Sequence, residues 1–294
     1  MLNKAFLLEQ FRAYALREYT ALPQNMGYKD KANKINKCVL DYKDTLVSQL
    51  DRSMTKAEYL SDVMMLSYVA YIVMLEYRNI AWPYEYMAFS RRIGEIWEPF
   101  CKLPFSYPAK ELRIIEPPLF ENVQNGLVAK FEDYVSSLHI TEEQKQEVLA
   151  YYAEVWKLVD SGNISLSLDL HFFQDDVFYN VDYKSGFGSN EKGNTNRLLQ
   201  VGSIYSSMSD DQHNYRNLIF VRQAEDENNH YLQTLKNSPY WNVYCAEAAY
   251  DQIHYFTGFN IKKWMTENMM WTDDISIDFR RHLEANNLLS YLSW

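Results

Sequence analysis

A change of hydrophobic period constrains this chain more than any other feature. Up to about residue 160 the apolar residues recur at threes and fours, and at Ser161-Gly162-Asn163 the spacing falls to two. Ile164, Leu166, Leu168, Leu170 and Phe172 alternate with Ser165, Ser167, Asp169 and His171. Val177, Tyr179, Val181 and Tyr183 alternate with Phe178, Asn180, Asp182 and Lys184. Period two is the signature of a strand with one buried face. The link between the two runs, Asp175-Asp176, is the length of the commonest hairpin turn. A purely helical fold is excluded.

The rest of the chain is read around this hairpin. Leu7, Leu8, Phe11, Ala15 and Tyr19 form one helical stripe. Further helices are expected over 32–50, from after Ser53/Thr55 to 77, and over 84–98. Thr55 with Tyr59 makes no capping box, so the start of the third helix stays open. The Pro-rich segment 104–118 reads as a connector. Helix returns over 119–138, and Thr141 caps another with Glu142 and Glu143 in its first turn. Residues 217–221 (NLIFV) and 241–244 read as short buried strands, each followed by helix. The expected class is α/β, a mixed sheet with flanking helices, preceded by a large helical N-terminal region (1–82 and 83–294).

Composition narrows the function classes. Aromatic residues make up 16% with 24 Tyr, which argues for a folded chain with much surface to bury. The net charge of −10 speaks against a general basic coat, so any DNA contact must be a local groove. Cys38, Cys101 and Cys245 are odd in number and far apart, which supports neither a zinc ribbon nor a disulfide scaffold. The N-terminus has Glu9 inside its apolar stretch and no cleavage-like site, so no signal peptide is expected. The run 63–75 is too short to span a bilayer and reads as a core helix. A reducing, cytoplasmic setting without membrane attachment is the expectation.

With a two-residue turn the paired positions follow directly. Leu170 meets Val181 and Leu168 meets Tyr183, apolar on apolar. On the other face Asp169 meets Asp182, Ser167 meets Lys184 and His171 meets Asn180. A slip of one residue would scramble both faces. Directly opposed residues have Cβ atoms roughly 4.5–5.5 Å apart. Two carboxylates at that distance need a shared proton or a cation between them. Hard cations such as Mg²⁺ favour paired carboxylates with waters and phosphate oxygens. Lys184, two residues on from Asp182, is placed to orient a water or neutralise developing charge. His171, on the same polar face, is expected to be exposed.

The segment SLDLHFFQDDVFYNVDYK resembles the PD-(D/E)XK nuclease superfamily, in particular type II restriction endonucleases. Asp169 matches the first acidic position, and Asp182 and Lys184 match the acidic-x-Lys unit on the next strand. Leu168 stands where the superfamily's name places Pro. The resemblance further implies an acidic residue on a preceding helix. SRRIGEIWEPF supplies Gly94, Trp97 and Glu98, with Glu95 as the alternative and Pro99 working against helix at Glu98. It implies a restriction-endonuclease-like core, with Asp169, Asp182, Lys184 and Glu98 as catalytic residues. Asp169, Asp182 and Glu98 would be the Mg²⁺ ligands. The substrate would be double-stranded DNA, bound by a homodimer where the target is palindromic. A structure-specific repair or recombination nuclease and a non-catalytic helical scaffold are the competing readings.

After Lys184 three glycines fall within residues 186–193, which suits a tight loop. The spacing is neither a dinucleotide fingerprint nor a P-loop. Ser185, Ser189, Asn190, Lys192, Asn194, Asn196 and Arg197 are donors suited to phosphates and base edges, and are the expected DNA contacts. A helix starting near Asn194 would turn its N-terminus toward the hairpin, and Gln200 in its second turn would face the site. Lys29, Lys31, Lys34, Lys37 and Lys43 read as solvated helix faces, and Arg91 with Arg92 as lining a cleft near Glu98.

Overall fold

The computed structural model describes residues 2–159, 165–209 and 213–294. Four helices form the first half: α1 (Lys4–Thr20), α2 (Tyr28–Ser48), α3 (Lys56–Ala81) and α4 (Tyr86–Ser106). Residues 62–77 of α3 are buried all round, as expected of a helix that is apolar on every side and sits at the centre of a fold. Its start is a capping box after all. Thr55 Oγ1 accepts from the Glu58 N–H at 3.3 Å and Glu58 Oε2 accepts from the Thr55 N–H at 3.0 Å. The reciprocal partner stands three residues on, not four. α4 runs through Pro99 and Pro104, so the helix continues eight residues past Glu98 into the expected connector. Neither proline can donate to the preceding turn, and burial of Phe100, Cys101 and Phe105 holds the helix together instead.

The short edge strand β1 (Arg113–Ile114) also lies in that connector, and is followed by α5 (Phe120–Ser137) and α6 (Glu142–Val159). Then come β2 (Leu170–Gln174), β3 (Val177–Lys184), α7 (Lys192–Met208), β4 (Asn214–Val221), α8 (His230–Lys236), β5 (Asn242–Cys245) and α9 (Glu247–Thr257). The chain continues through α10 (Ile261–Asn268), α11 (Trp271–Asp274) and α12 (Ile277–Ala285). Among the described residues the strands form one mixed sheet in sequence order. β1–β2 and β2–β3 are antiparallel, and β3–β4 and β4–β5 are parallel, with α7 and α8 as crossovers.

The hairpin register is the one read from the turn, with Leu170 opposite Val181, His171 opposite Asn180 and Gln174 opposite Val177. Asp175 and Asp176 both have positive φ, 49° and 60°, which matches the twist of the flanking strands. Two expectations fail here. Regular pairing begins at Leu170, so residues 165–169 lead into the strand without joining it. Ile164 and the Ser161-Gly162-Asn163 break lie outside the described residues.

The second failure is the solvated face, because both faces of the sheet are covered. Phe172, Val181 and Phe220 pack on one side against the helical half and α9. Ile219 and Val221 pack on the other against Leu198, Val201 and Tyr205 of α7. The polar side chains beneath α7 form a row across three strands. His171 Nδ1 donates to Asn180 Oδ1 at 2.9 Å, Asn180 Nδ2 donates to Asn217 Oδ1 at 2.9 Å, and Asn217 Nδ2 donates to Gly202 O at 3.2 Å and Tyr240 O at 3.0 Å. His171 is thus buried, not exposed. The backbone N–H of Leu168 points at its Nε2 at 2.9 Å, which makes Nε2 the acceptor and leaves the proton on Nδ1. Burial lowers its pKa below the usual value.

The first helix is bound to a segment far along the chain. Arg12 forms a two-pronged pair with buried Glu76 at 2.7 and 2.9 Å and donates to Asp274 O at 2.7 Å. Lys4 Nζ and Tyr68 Oη both reach Asp274 Oδ2, at 2.8 and 2.7 Å. The Ser276 N–H donates to Glu76 Oε1. One core cluster accordingly contains residues from Leu7 to Leu292.

Candidate active site

β3 carries Asp182 and Lys184 to its C-terminal end, where its parallel neighbour β4 also ends. Asp182 is 1% exposed. Its Oδ2 is in direct contact with Lys184 Nζ, and its Oδ1 lies 3.3 Å from Arg197 Nη2. Burial raises the carboxyl's pKa first. Lys184 opposes that, Asp169 adds to it, and Arg197 opposes it. Lys184 also donates from Nζ to Tyr183 O at 3.3 Å, so the ammonium sits over both a carboxylate and a backbone carbonyl.

Asp169 stands one residue before the paired part of β2. Its Oδ2 accepts the Tyr183 N–H at 2.7 Å. The ladder therefore ends on a side chain: a carboxylate takes the place of the next strand carbonyl. Asp169 is half-buried and close enough to Asp182 to act on it electrostatically. The Tyr183 ring is buried on the opposite face, and burial drives its hydroxyl far above the usual range.

α4 passes close to this strand end. An added Cβ at Gly94 would lie 2.6 Å from Ser185 Oγ and 2.7 Å from Ser185 Cβ, so only glycine permits the approach. Three residues on, Trp97 meets the Tyr183 ring edge-on at 5.6 Å. Glu98 is one turn from Gly94 on the same face, half-buried, with Oε1 2.7 Å from Lys102 Nζ. That ammonium lies 5.9 Å from the Tyr183 ring centre. Glu95 is turned elsewhere. It pairs with Arg91 Nε at 2.7 Å and Arg92 Nη1 at 3.2 Å. Of the two helix acids, Glu98 is the one beside the hairpin.

The glycine loop is fastened down rather than free. Ser185 Oγ accepts from Arg222 Nε at 3.1 Å, and Phe187 is buried with its N–H donated to Asn228 Oδ1 at 2.7 Å. Asn229 Nδ2 donates to Gly188 O at 2.6 Å. Ser189, Asn190, Lys192 and Asn196 are exposed, as is Gln200. Asn194 is half-buried and donates to Glu191 Oε2 at 2.9 Å. Arg197, expected to contact DNA, is instead the second cation on Asp182.

Asp169, Asp182 and Lys184 thus gather at one strand end, whereas Glu98 stands with Lys102 beside the Tyr183 ring on the opposite face, and sequence reasoning misses Arg197 as an internal partner. It also misses Arg222, whose only sequence cue is its position just after a buried strand. Among the described residues no three His, Cys, Asp or Glu side chains converge as metal ligands. No protein-family model, no curated protein and no solved structure matches this chain.

Proposed function

We propose that this chain is a Mg²⁺-dependent endonuclease of the PD-(D/E)XK type, hydrolysing phosphodiester bonds of double-stranded DNA as type II restriction enzymes do. One observation carries the reading: the Asp182-x-Lys184 unit ends a buried strand with the Asp182 carboxylate enclosed and Asp169 beside it. Lys184 and Arg197 already offset the enclosed Asp182 carboxylate, and Asp169 beside it supplies the second acid that a divalent cation would use. The mixed sheet with α4 and α7 on its two faces agrees with the restriction-endonuclease-like core that the resemblance implies.

The donors fit a hard divalent cation. They are all oxygen: Asp169, Asp182 and the Tyr183 carbonyl now under Lys184, with Glu98 held by Lys102 on the Tyr183 ring side. Mg²⁺ takes one or two protein carboxylates and fills its remaining positions with waters and substrate phosphates, so a three-ligand cage is not required. The bound ion would polarise the scissile phosphate and acidify a water. Asp169 and Asp182 would hold it, and Asp169 is itself held by the Tyr183 N–H. Lys184 would orient the attacking water or balance charge at phosphorus. Arg197 would keep Asp182 ionised. The exposed donors Ser189, Asn190, Lys192 and Asn196 would contact phosphates beside the site. A palindromic target would call for a two-fold dimer.

The test is incubation with plasmid and phage DNA, with and without Mg²⁺. Discrete fragments that require Mg²⁺ and vanish in Lys184→Ala support the reading. A Mg²⁺-dependent smear points to a structure-directed nuclease. DNA left intact at several salt concentrations overturns both and leaves a non-catalytic scaffold.

A further inference from the structure

The helical half holds a pocket that the nuclease reading does not use. It lies between α2, the end of α3 and the first turns of α4, and encloses about 310 Å³. Two buried polar atoms lining this pocket, Asn36 Oδ1 and Arg78 Nη1, lack a hydrogen-bond partner, and Tyr84 Oη is touched only by the Arg92 guanidinium, which leaves its own proton without an acceptor. Buried polar groups are normally satisfied, so three incompletely bonded groups at one pocket call for a missing partner.

The charge of the pocket says what that partner is. Arg78 is wedged between two rings, its guanidinium carbon 4.6 Å from the Trp82 centre and 4.3 Å from the Tyr84 centre. That sandwich fixes the plane of its donor fork. No carboxylate pairs with it among the described residues, and burial lowers its pKa from the usual value. Arg91 and Arg92 share the single carboxylate of Glu95, and exposed Lys29 stands at the rim. Four cations against one acid leave a net charge of +3, which favours a doubly charged phosphate over a singly charged carboxylate. Tyr84, 3% exposed, keeps a hydroxyl donor beside Arg92 and Arg78. Asn36 Oδ1 is an acceptor, so the ligand also presents an N–H or O–H.

We propose that this pocket binds a phosphate group, with Arg78, Arg92 and the Tyr84 hydroxyl on its oxygens, and with Asn36 accepting from a donor on the same ligand. The assignment does not rest on the nuclease reading, although α4 links the two sites: Arg91 and Glu98 are seven residues apart, about 10 Å along a helix. The phosphate could come from a free phosphorylated compound or from a nucleic-acid backbone.

The probes are inorganic phosphate and adenosine monophosphate, titrated by calorimetry and thermal unfolding in EDTA, with chloride at matched ionic strength as control. The full chain should bind both, with adenosine monophosphate the tighter. Arg78→Gln should weaken phosphate by about tenfold or more, as expected for losing a charge-assisted bond. Lys29→Gln, an exposed change that leaves the fold intact, should weaken it about two- to threefold by lost charge alone. Phosphate indistinguishable from chloride, or equal affinity in all three proteins, overturns the proposal. Competition by a short DNA duplex identifies the backbone as the source, and unchanged affinity in its presence identifies a free ligand. None of these readouts depends on DNA cleavage.

Discussion

Tyr183 donates its backbone N–H to Asp169 Oδ2 across 2.7 Å, just beyond Leu170–Val181, the last pair of the β2–β3 hairpin. A single carboxylate therefore both ends a strand ladder and faces Asp182. The two roles separate by substitution. Asp169→Asn keeps an acceptor for Tyr183 and should fold within about 1 kcal/mol of the parent, whereas Asp169→Ala should lose about 1.5–3 kcal/mol, the worth of a hydrogen bond to a charged group. Both should abolish Mg²⁺-dependent cleavage. Urea unfolding checks the first pair of values and a plasmid assay the second. Activity surviving in either variant would remove Asp169 from the site.

Cation binding should depend on pH through Asp182. Burial holds its pKa above the ordinary carboxylate value, and the like charge of Asp169 adds to this. Below that raised pKa a cation must displace a proton, so affinity rises with pH and levels off only once Asp182 is ionised. Calcium calorimetry between about pH 4.5 and pH 8 should show affinity falling on acidification from a point above the usual Asp range. An affinity that stays flat down to about pH 4.5 would contradict the assignment.

His171 sets a separate acid limit on stability. Its native pKa is lowered by burial from 6.5. Between those two values the unfolded chain binds a proton that the native chain does not, so stability is complete above about pH 6.5 and falls as the pH drops toward the native value. His171→Gln does not titrate. It should be less stable at neutral pH but show a flatter urea midpoint from about pH 6.5 down to pH 5. Parallel pH profiles for the two proteins would place the acid sensitivity elsewhere.

Two glycines of α7 should respond in opposite directions. A Cβ at Gly202 would lie 2.4 Å from Trp241 Nε1 and 2.8 Å from Cε2, and that indole is fixed by its bond to Leu198 O at 2.9 Å. Gly202→Ala should cost about 1–3 kcal/mol by overpacking. Gly193 has open space around its Cβ position, so Gly193→Ala should stabilise the helix by about 0.5–1 kcal/mol. Thermal unfolding of the two variants decides both signs.

The hairpin was legible because its register depends only on local facts: a two-residue link and a period of two. Asp175 and Asp176 accept positive φ, so Leu170 falls opposite Val181 as counted. Burial of the polar face was not legible. Alternation says which residues share a face, not what lies over it, and beneath α7 the buried His171, Asn180 and Asn217 bond to one another in a row that ends on Gly202 O and Tyr240 O. Pro99 argues against helix at Glu98, yet α4 runs through both prolines because its apolar residues are buried against the core. Arg197 reads as a surface donor because nothing in a linear sequence shows that the second turn of α7 reaches back to Asp182.

The ties from Arg12 to Glu76 and from Lys4 and Tyr68 to Asp274 carry a consequence for synthesis. Ribosomes release the helical half first, and Arg12 can pair with Glu76 inside it, but Asp274 and Ser276 reach Tyr68 and Glu76 only when about 200 further residues have emerged. Until then the α1–α3 region holds an incomplete ion-pair network and an uncovered apolar α3. Contacts so distant in sequence make closure slow, and an exposed helix of this apolarity invites aggregation or chaperone capture in the interval. Arrested nascent chains ending near residue 250 should therefore be digested within α3 by a protease that spares the same segment in the released protein.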